Sequence, residues 1–164
     1  MERIIDIANY IFNEYKEMSG EVIDEMKLHK LLYFAQRESL AVTGEPLFKE
    51  SFEGWKFGPV SPVVRSAYSK EGIQSKVLLE VSAESAYIVN NVLAQYGSIE
   101  SWKLSEMSHN ESSWLNTRKG LNEDEHGDRK MKLSDIRKDS EKIRPYDSLY
   151  DMYYDEFDDA EAKQ

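Results

Sequence analysis

The sequence predicts a mostly α (α+β) fold: a compact helical domain with a small β-hairpin or short strands, plus a C-terminal amphipathic helix. Three observations carry this. Apolar residues recur at helical spacing through most of the chain. One stretch, 51–57, alternates at the two-residue period of a strand before a Gly-Pro pair. The 164 residues, 40% hydrophobic and 12% aromatic, suit one domain with a packed core.

The first helix is expected from about Arg3 to Met18, with Ile4, Ala8, Ile11, Phe12 and Tyr15 on one face of a 3.6-residue period. Ser19-Gly20 ends it, glycine supplying a left-handed cap. The second begins at the N-cap residue Asp24 and runs to about Val42, where Gly44 stops it. Leu28, Leu31, Leu32 and Ala35 line its face, and Tyr33, Phe34 and Leu40 widen the stripe, so it is expected to be the most buried helix.

Ser51 to Phe57 reads as a short half-buried strand, broken by Gly58-Pro59 in a tight strand-to-helix turn. Ser61-Pro62 reads as N-cap and first helical position of a short helix to Ser69. Lys76–Val81 is a second strand candidate. A helix over Ala83–Tyr96 places Ala86, Val89, Leu93 and Tyr96 inward and closes at Gly97. Ser98 is expected to cap a helix containing Ile99 and Trp102. Ser108-His-Asn-Glu111 has capping-box spacing, which would start a helix carrying Trp114. The charged stretch 122–132 reads as an exposed loop, and Ser134 as the cap of a helix that ends before Pro145.

Composition excludes several classes of function. There is no cysteine, so disulfides, thiolate metal sites and thiol chemistry are out. That absence, the lack of any apolar run of about 18 residues, and a charged N-terminus unlike a signal peptide lead to a cytoplasmic expectation with no membrane partner. The net charge of −10 argues against nucleic acid. Residues 147–164 hold seven acids and one base, net −6, so the other 146 residues carry −4.

Chemistry is poorly supported. His29, His109 and His126 lie far apart without metal-ligand spacing; His29 is expected at a partly exposed position and His109 at a helix start beside Trp114. The chain has no G-x-S-x-G elbow and neither G-x-G-x-x-G nor G-x-x-x-x-G-K-[ST]. No catalytic residue, no cofactor and no metal is expected, and the protein is read as not an enzyme. The tail is the surprise. Tyr146, Leu149, Tyr150, Tyr153 and Phe157 share one helical face opposite acids. Two readings stand: a helix packed on its own core, or a partner-binding segment whose aromatics anchor and whose acids select a basic surface.

Four segments together resemble one family. They are Lys27-Leu-His-Lys-Leu-Leu-Tyr-Phe-Ala-Gln36, Gly44-Glu-Pro-Leu-Phe48, Phe52-Glu-Gly-Trp-Lys-Phe-Gly-Pro-Val60 and Leu104-Ser-Glu-Met-Ser-His-Asn-Glu-Ser-Ser-Trp114. In this order they are similar to the Panacea domain, the SocA-like antitoxin family, also called GepA-like, over about residues 4–145. Its K-L-x-K-L-L-Y helix falls on Lys27, Leu28, Lys30, Leu31 and Tyr33. Its W-x-x-G-P-V turn falls on Trp55, Gly58, Pro59 and Val60, and its late segment on His109 and Trp114. These positions are read as fold-defining. Ser108 stands where threonine is usual and Ser113 where proline is usual. No helix-turn-helix or zinc ribbon of the kind some relatives carry is seen.

The resemblance implies the antitoxin half of a bacterial or phage toxin–antitoxin pair, with residues 1–146 as the family domain and 147–164 as an acidic aromatic tail. It implies a cognate protein toxin as partner, bound directly, and a homo-oligomer or a heterotetramer with the toxin. Members of the family counter varied toxins, and one acts instead as an adaptor for a ClpXP-type protease, which stands as the alternative. On these expectations Tyr150, Tyr153, Tyr154, Asp155, Phe157, Asp158 and Asp159 would contact the toxin.

Overall fold

The second helix is the axle of the molecule. A computed structural model describes residues 1–71 and 81–143. Its elements are α1 (Ile4–Ser19), α2 (Glu25–Thr43), β1 (Glu53–Trp55), β2 (Gly58–Val60), α3 (Pro62–Glu71), α4 (Ala83–Tyr96), α5 (Ser101–Ser108), α6 (Ser112–Thr117) and α7 (Leu133–Ser140). The fold is mostly α with a two-stranded antiparallel sheet. Helices α1, α3, α4, α5 and α7 and strand β2 all pack on α2. Every residue from Lys27 to Leu40 is consequently buried, polar ones included. Among the described residues no helix is long and apolar enough to cross a membrane.

Local signals set several of the ends. Gly20 and Gly44 take φ of 75° and 77° and donate their amides to Lys16 and Leu40 carbonyls, closing α1 and α2 in left-handed caps. The Asp24 carboxylate accepts the Lys27 amide at 2.8 Å. The Ser61 hydroxyl accepts the Val64 amide at 3.2 Å, with Pro62 at the first helical position of α3. Ser82 caps α4 through the Ser85 amide at 3.1 Å. The α1 face Ile4, Ala8, Ile11, Phe12 and Tyr15 is buried as its periodicity requires. In α4, Val89 and Leu93 point inward, while Ala86 and Tyr96 are only half-buried.

Other expectations are corrected. Gly58-Pro59 does not break the strand. It opens β2, which pairs with β1 in the register Glu53↔Val60, Gly54↔Pro59 and Trp55↔Gly58, so the turn is Lys56-Phe57. Those two residues keep negative φ, and Gly58 supplies the positive one, 116°. Ser108 starts nothing: it is the last residue of α5, and its hydroxyl donates to the Ser105 carbonyl at 2.7 Å. The capping box fails because Glu111, the N-cap of α6, spends its carboxylate on Arg37. Asp139 of α7 serves instead, accepting the Ser112 and Ser113 amides at 2.9 Å each.

Ser98 and Ser134 are not caps either; Glu100 and Lys132 hold those positions without a side-chain bond. The stretch 122–132 is mainly exposed, but its end joins the sheet. Gly54 donates to the Arg129 carbonyl at 2.9 Å, Met131 to that of Phe52 at 2.8 Å, and Met131 is buried. Of the strand candidate Lys76–Val81, all but Val81, which is not in a strand, lies outside the described residues, as does the helix expected in the tail.

Candidate functional site

Three motif segments that are distant in the chain meet behind the β1–β2 hairpin. Lys30, fully buried on α2, donates its ammonium to the Pro59 carbonyl at 3.1 Å. Ser105 of α5 donates to the Phe57 carbonyl. Trp114 of α6 donates its indole N–H to the Trp55 carbonyl at 2.7 Å. Arg118 donates to the Gly54 carbonyl at 3.3 Å and to the His126 carbonyl at 2.7 Å. Four carbonyls of the hairpin, those of Gly54, Trp55, Phe57 and Pro59, are therefore gripped from the domain side by four different side chains.

The packing around these bonds is close. A Cβ on Gly58 would stand 2.4 Å from the Ser108 hydroxyl and 2.7 Å from Lys30 Cε. One on Gly54 would stand 1.7 Å from the Thr117 hydroxyl. Both glycines are needed because helix side chains occupy the space a side chain would take. His109 lies flat on Trp114, ring centroids 4.1 Å apart and 9° between planes. It sits at the end of α5, not at a helix start. His126 meets Trp55 edge-on at 4.4 Å.

His29 is 2% exposed, against the expectation of a partly exposed site. Its Nε2 bonds Glu25 at 3.0 Å and its Nδ1 accepts the Ser61 amide at 3.2 Å. That pairing suits a neutral imidazole, and burial pushes its pKa down to about 4. Burial likewise brings Lys30 down to about 7, opposed by the charges of Asp24 and Glu25. His109 is lowered by burial and by the Lys30 and Arg118 charges.

Of the other motif residues, Leu28 and Leu31 are core. Lys27 donates to the Gly97 carbonyl at 2.9 Å. Tyr33 donates to Asp139 at 3.1 Å and lies 3.0 Å from the Ser113 hydroxyl. Arg37 pairs with Glu111 and donates to Tyr96 at 3.0 Å. Val60 is buried beside Pro59.

Two hollows flank the Lys56-Phe57 turn. One, of about 370 Å³, is lined by Met26, His29, Lys30, Trp55, Val60 and His126 among others. The second, of about 530 Å³, is lined by His109, Trp114, Leu115, Arg118 and Leu121. Both include Lys56, Phe57 and Asp124. Two of the three histidines thus share one hollow, which spacing could not reveal. No group of three or more His, Asp or Glu able to hold a metal ion occurs among the described residues. Tyr150, Tyr153, Tyr154, Asp155, Phe157, Asp158 and Asp159 fall outside the described residues.

The sequence model of the family described as "Antitoxin SocA-like, Panacea domain" matches residues 28–115, more than half of the chain. The chain belongs to that family. It is also similar to Antitoxin SocA of Caulobacter vibrioides, at 50% identity over 50 residues, which is 30% of this chain and 27% of that protein. The similarity thus spans about a quarter of the relative's length. No solved structure matches the chain. The family match takes in most of α2, the hairpin and most of α6, and so every side chain gripping the hairpin carbonyls except Arg118.

Proposed function

We propose that the protein is an antitoxin that neutralises a cognate protein toxin by binding it directly, without catalysis, in the cytoplasm. The observation that carries this is the Panacea-domain match over residues 28–115, reinforced by the 50% identity to Antitoxin SocA. The arrangement behind the hairpin is consistent with a binding scaffold. Its polar groups are spent on holding backbone carbonyls.

In this reading residues 1–146 form the scaffold and 147–164 add contacts. Tyr150, Tyr153, Tyr154 and Phe157 would anchor the toxin, while Asp155, Asp158 and Asp159 would face basic groups on it. The assembly would be a heterotetramer or would contain a homo-oligomer of this chain. Separately inducible co-expression with the adjacent reading frame tests the function. Growth arrest by the neighbour, rescue by this protein and co-purification of the two support direct neutralisation. Rescue accompanied by protease-dependent loss of the toxin supports the adaptor alternative. A harmless neighbour that does not co-purify overturns the antitoxin reading.

A further inference from the structure

We propose that the face built around the Lys56-Phe57 turn is where the folded domain docks its toxin, and that it takes an apolar toxin segment flanked by lysine or arginine. This rests on the antitoxin reading above, and adds a surface on the domain itself.

Three independent features point there. The first is an exposed anchor. Phe57 is 54% exposed at the end of a two-residue turn, and Leu115, across the second hollow, is 47% exposed. Single exposed apolar residues are ordinary. Here, however, Phe57 stands between two concavities of about 370 and 530 Å³ that both include it. A partner's apolar side chains can enter both while Phe57 itself packs against the partner.

The second is rigidity. The carbonyls of Gly54, Trp55, Phe57 and Pro59 all accept bonds from the domain side. The outer surface is held in place before any partner arrives, which lowers the ordering cost of association. A turn whose only duty was to link β1 to β2 would not need four side chains from α2, α5, α6 and the following segment.

The third is charge. The stretch 121–128 contains Glu123, Asp124, Glu125 and Asp128 and no lysine or arginine. All four acids are exposed, and Asp124 and Glu123 line the second hollow. Asp124 pairs with the exposed Lys56 ammonium at 3.6 Å, a weak pair that a partner's cation can displace. Lys56 and Arg118 also line this hollow, so its acidic character lies in the exposed outer edge of Glu123, Asp124, Glu125 and Asp128, which favours a partner with basic groups beside an apolar one.

The test uses the full-length chain and the toxin encoded by the adjacent reading frame. Phe57→Asp, Leu115→Glu and the triple reversal Glu123→Lys/Asp124→Lys/Glu125→Lys are compared with Val42→Asp, exposed at the far end of α2. The expected result is a loss of affinity of about 30-fold or more for Phe57→Asp and Leu115→Glu, with melting temperatures unchanged. The triple reversal is expected to weaken binding more at low salt than at high salt, and Val42→Asp to bind normally.

A photo-crosslinking residue at position 57 should capture the toxin, and one at position 42 should not. If wild type and all four variants bind the toxin equally, this surface is wrong and the antitoxin reading survives. Tighter binding by the triple reversal overturns the basic-partner assignment. If wild type neither binds nor rescues, both readings fall together.

Discussion

At the scale of single residues, burial explains choices that residue type alone obscures. His29 looks like a polar residue on a helix flank, yet it bonds Glu25 of its own helix and receives the Ser61 amide that opens α3. Its folded pKa of about 4 lies below its ordinary 6.5. Above about pH 6.5 both folded and unfolded states hold it neutral, and its contribution is fully present. As pH falls from 6.5 toward 4 the unfolded chain takes up the proton first, so stability drops, by about 3 kcal/mol in all. Denaturant unfolding at stepped pH should show this slope in wild type and a flatter one in His29→Gln; coincident slopes would remove His29 as the cause. Two glycines make a second residue-scale pair. Gly44→Ala meets open space and should cost only the left-handed backbone penalty, about 1 kcal/mol. Gly58→Ala carries that penalty and also strikes Ser108 and Lys30, so about 2–4 kcal/mol is expected from the same unfolding measurement.

At the scale of elements, what could be read from sequence was whatever is settled within a few residues. Asp24 and Ser61-Pro62 cap their own helices, and Gly20 and Gly44 close theirs, because each bond joins neighbours in the chain. Ser98, Ser108 and Ser134 carry the same local signals and do not cap: α5 and α7 start at Glu100 and Lys132 without a side-chain bond, and the start of α6 is held by Asp139 from far along the chain. The hairpin was half legible. Alternation marked β1, but Gly58-Pro59 looked like a breaker because nothing local shows that Lys30 and Ser108 fill the space beside Gly58. Asp139 is the clearest tertiary case. It ties α7 to the start of α6 through two amides and to α2 through the Tyr33 hydroxyl, and it is fully buried. Asp139→Ala would strand three donors and should cost about 3 kcal/mol or more. Tyr33→Phe removes one donor of the same set and should cost about 1 kcal/mol. In the double variant the two losses should fall short of additivity, as thermal or denaturant melts of the four proteins would show; strict additivity would mean that the Tyr33–Asp139 bond contributes nothing.

At the scale of the whole molecule, the charge distribution was legible from the start, and the convergence of motifs was not. Lys30, Ser105, Trp114 and Arg118 are spread over 89 positions, and only the fold reveals that they grip one hairpin. The asymmetry of charge yields the largest-scale prediction. Residues 147–164 hold −6 of the chain's −10. If the tail contributes to capture of a basic toxin, it does so first by long-range attraction, which accelerates encounter and fades as salt shortens the screening length from roughly 30 Å at 0.01 M to 3 Å at 1 M. Deleting 147–164 should therefore slow association most at low salt, with the two curves converging at high salt, and should abolish rescue of toxin-arrested cells. Melting should remain cooperative, because every residue of the core from Ile4 to Ile136 is retained. Association rates for both proteins across that salt range, together with growth rescue, settle the matter. Parallel salt curves with intact rescue would take the tail out of toxin capture. The whole task would then pass to the domain, where a Phe57→Asp change tests it independently.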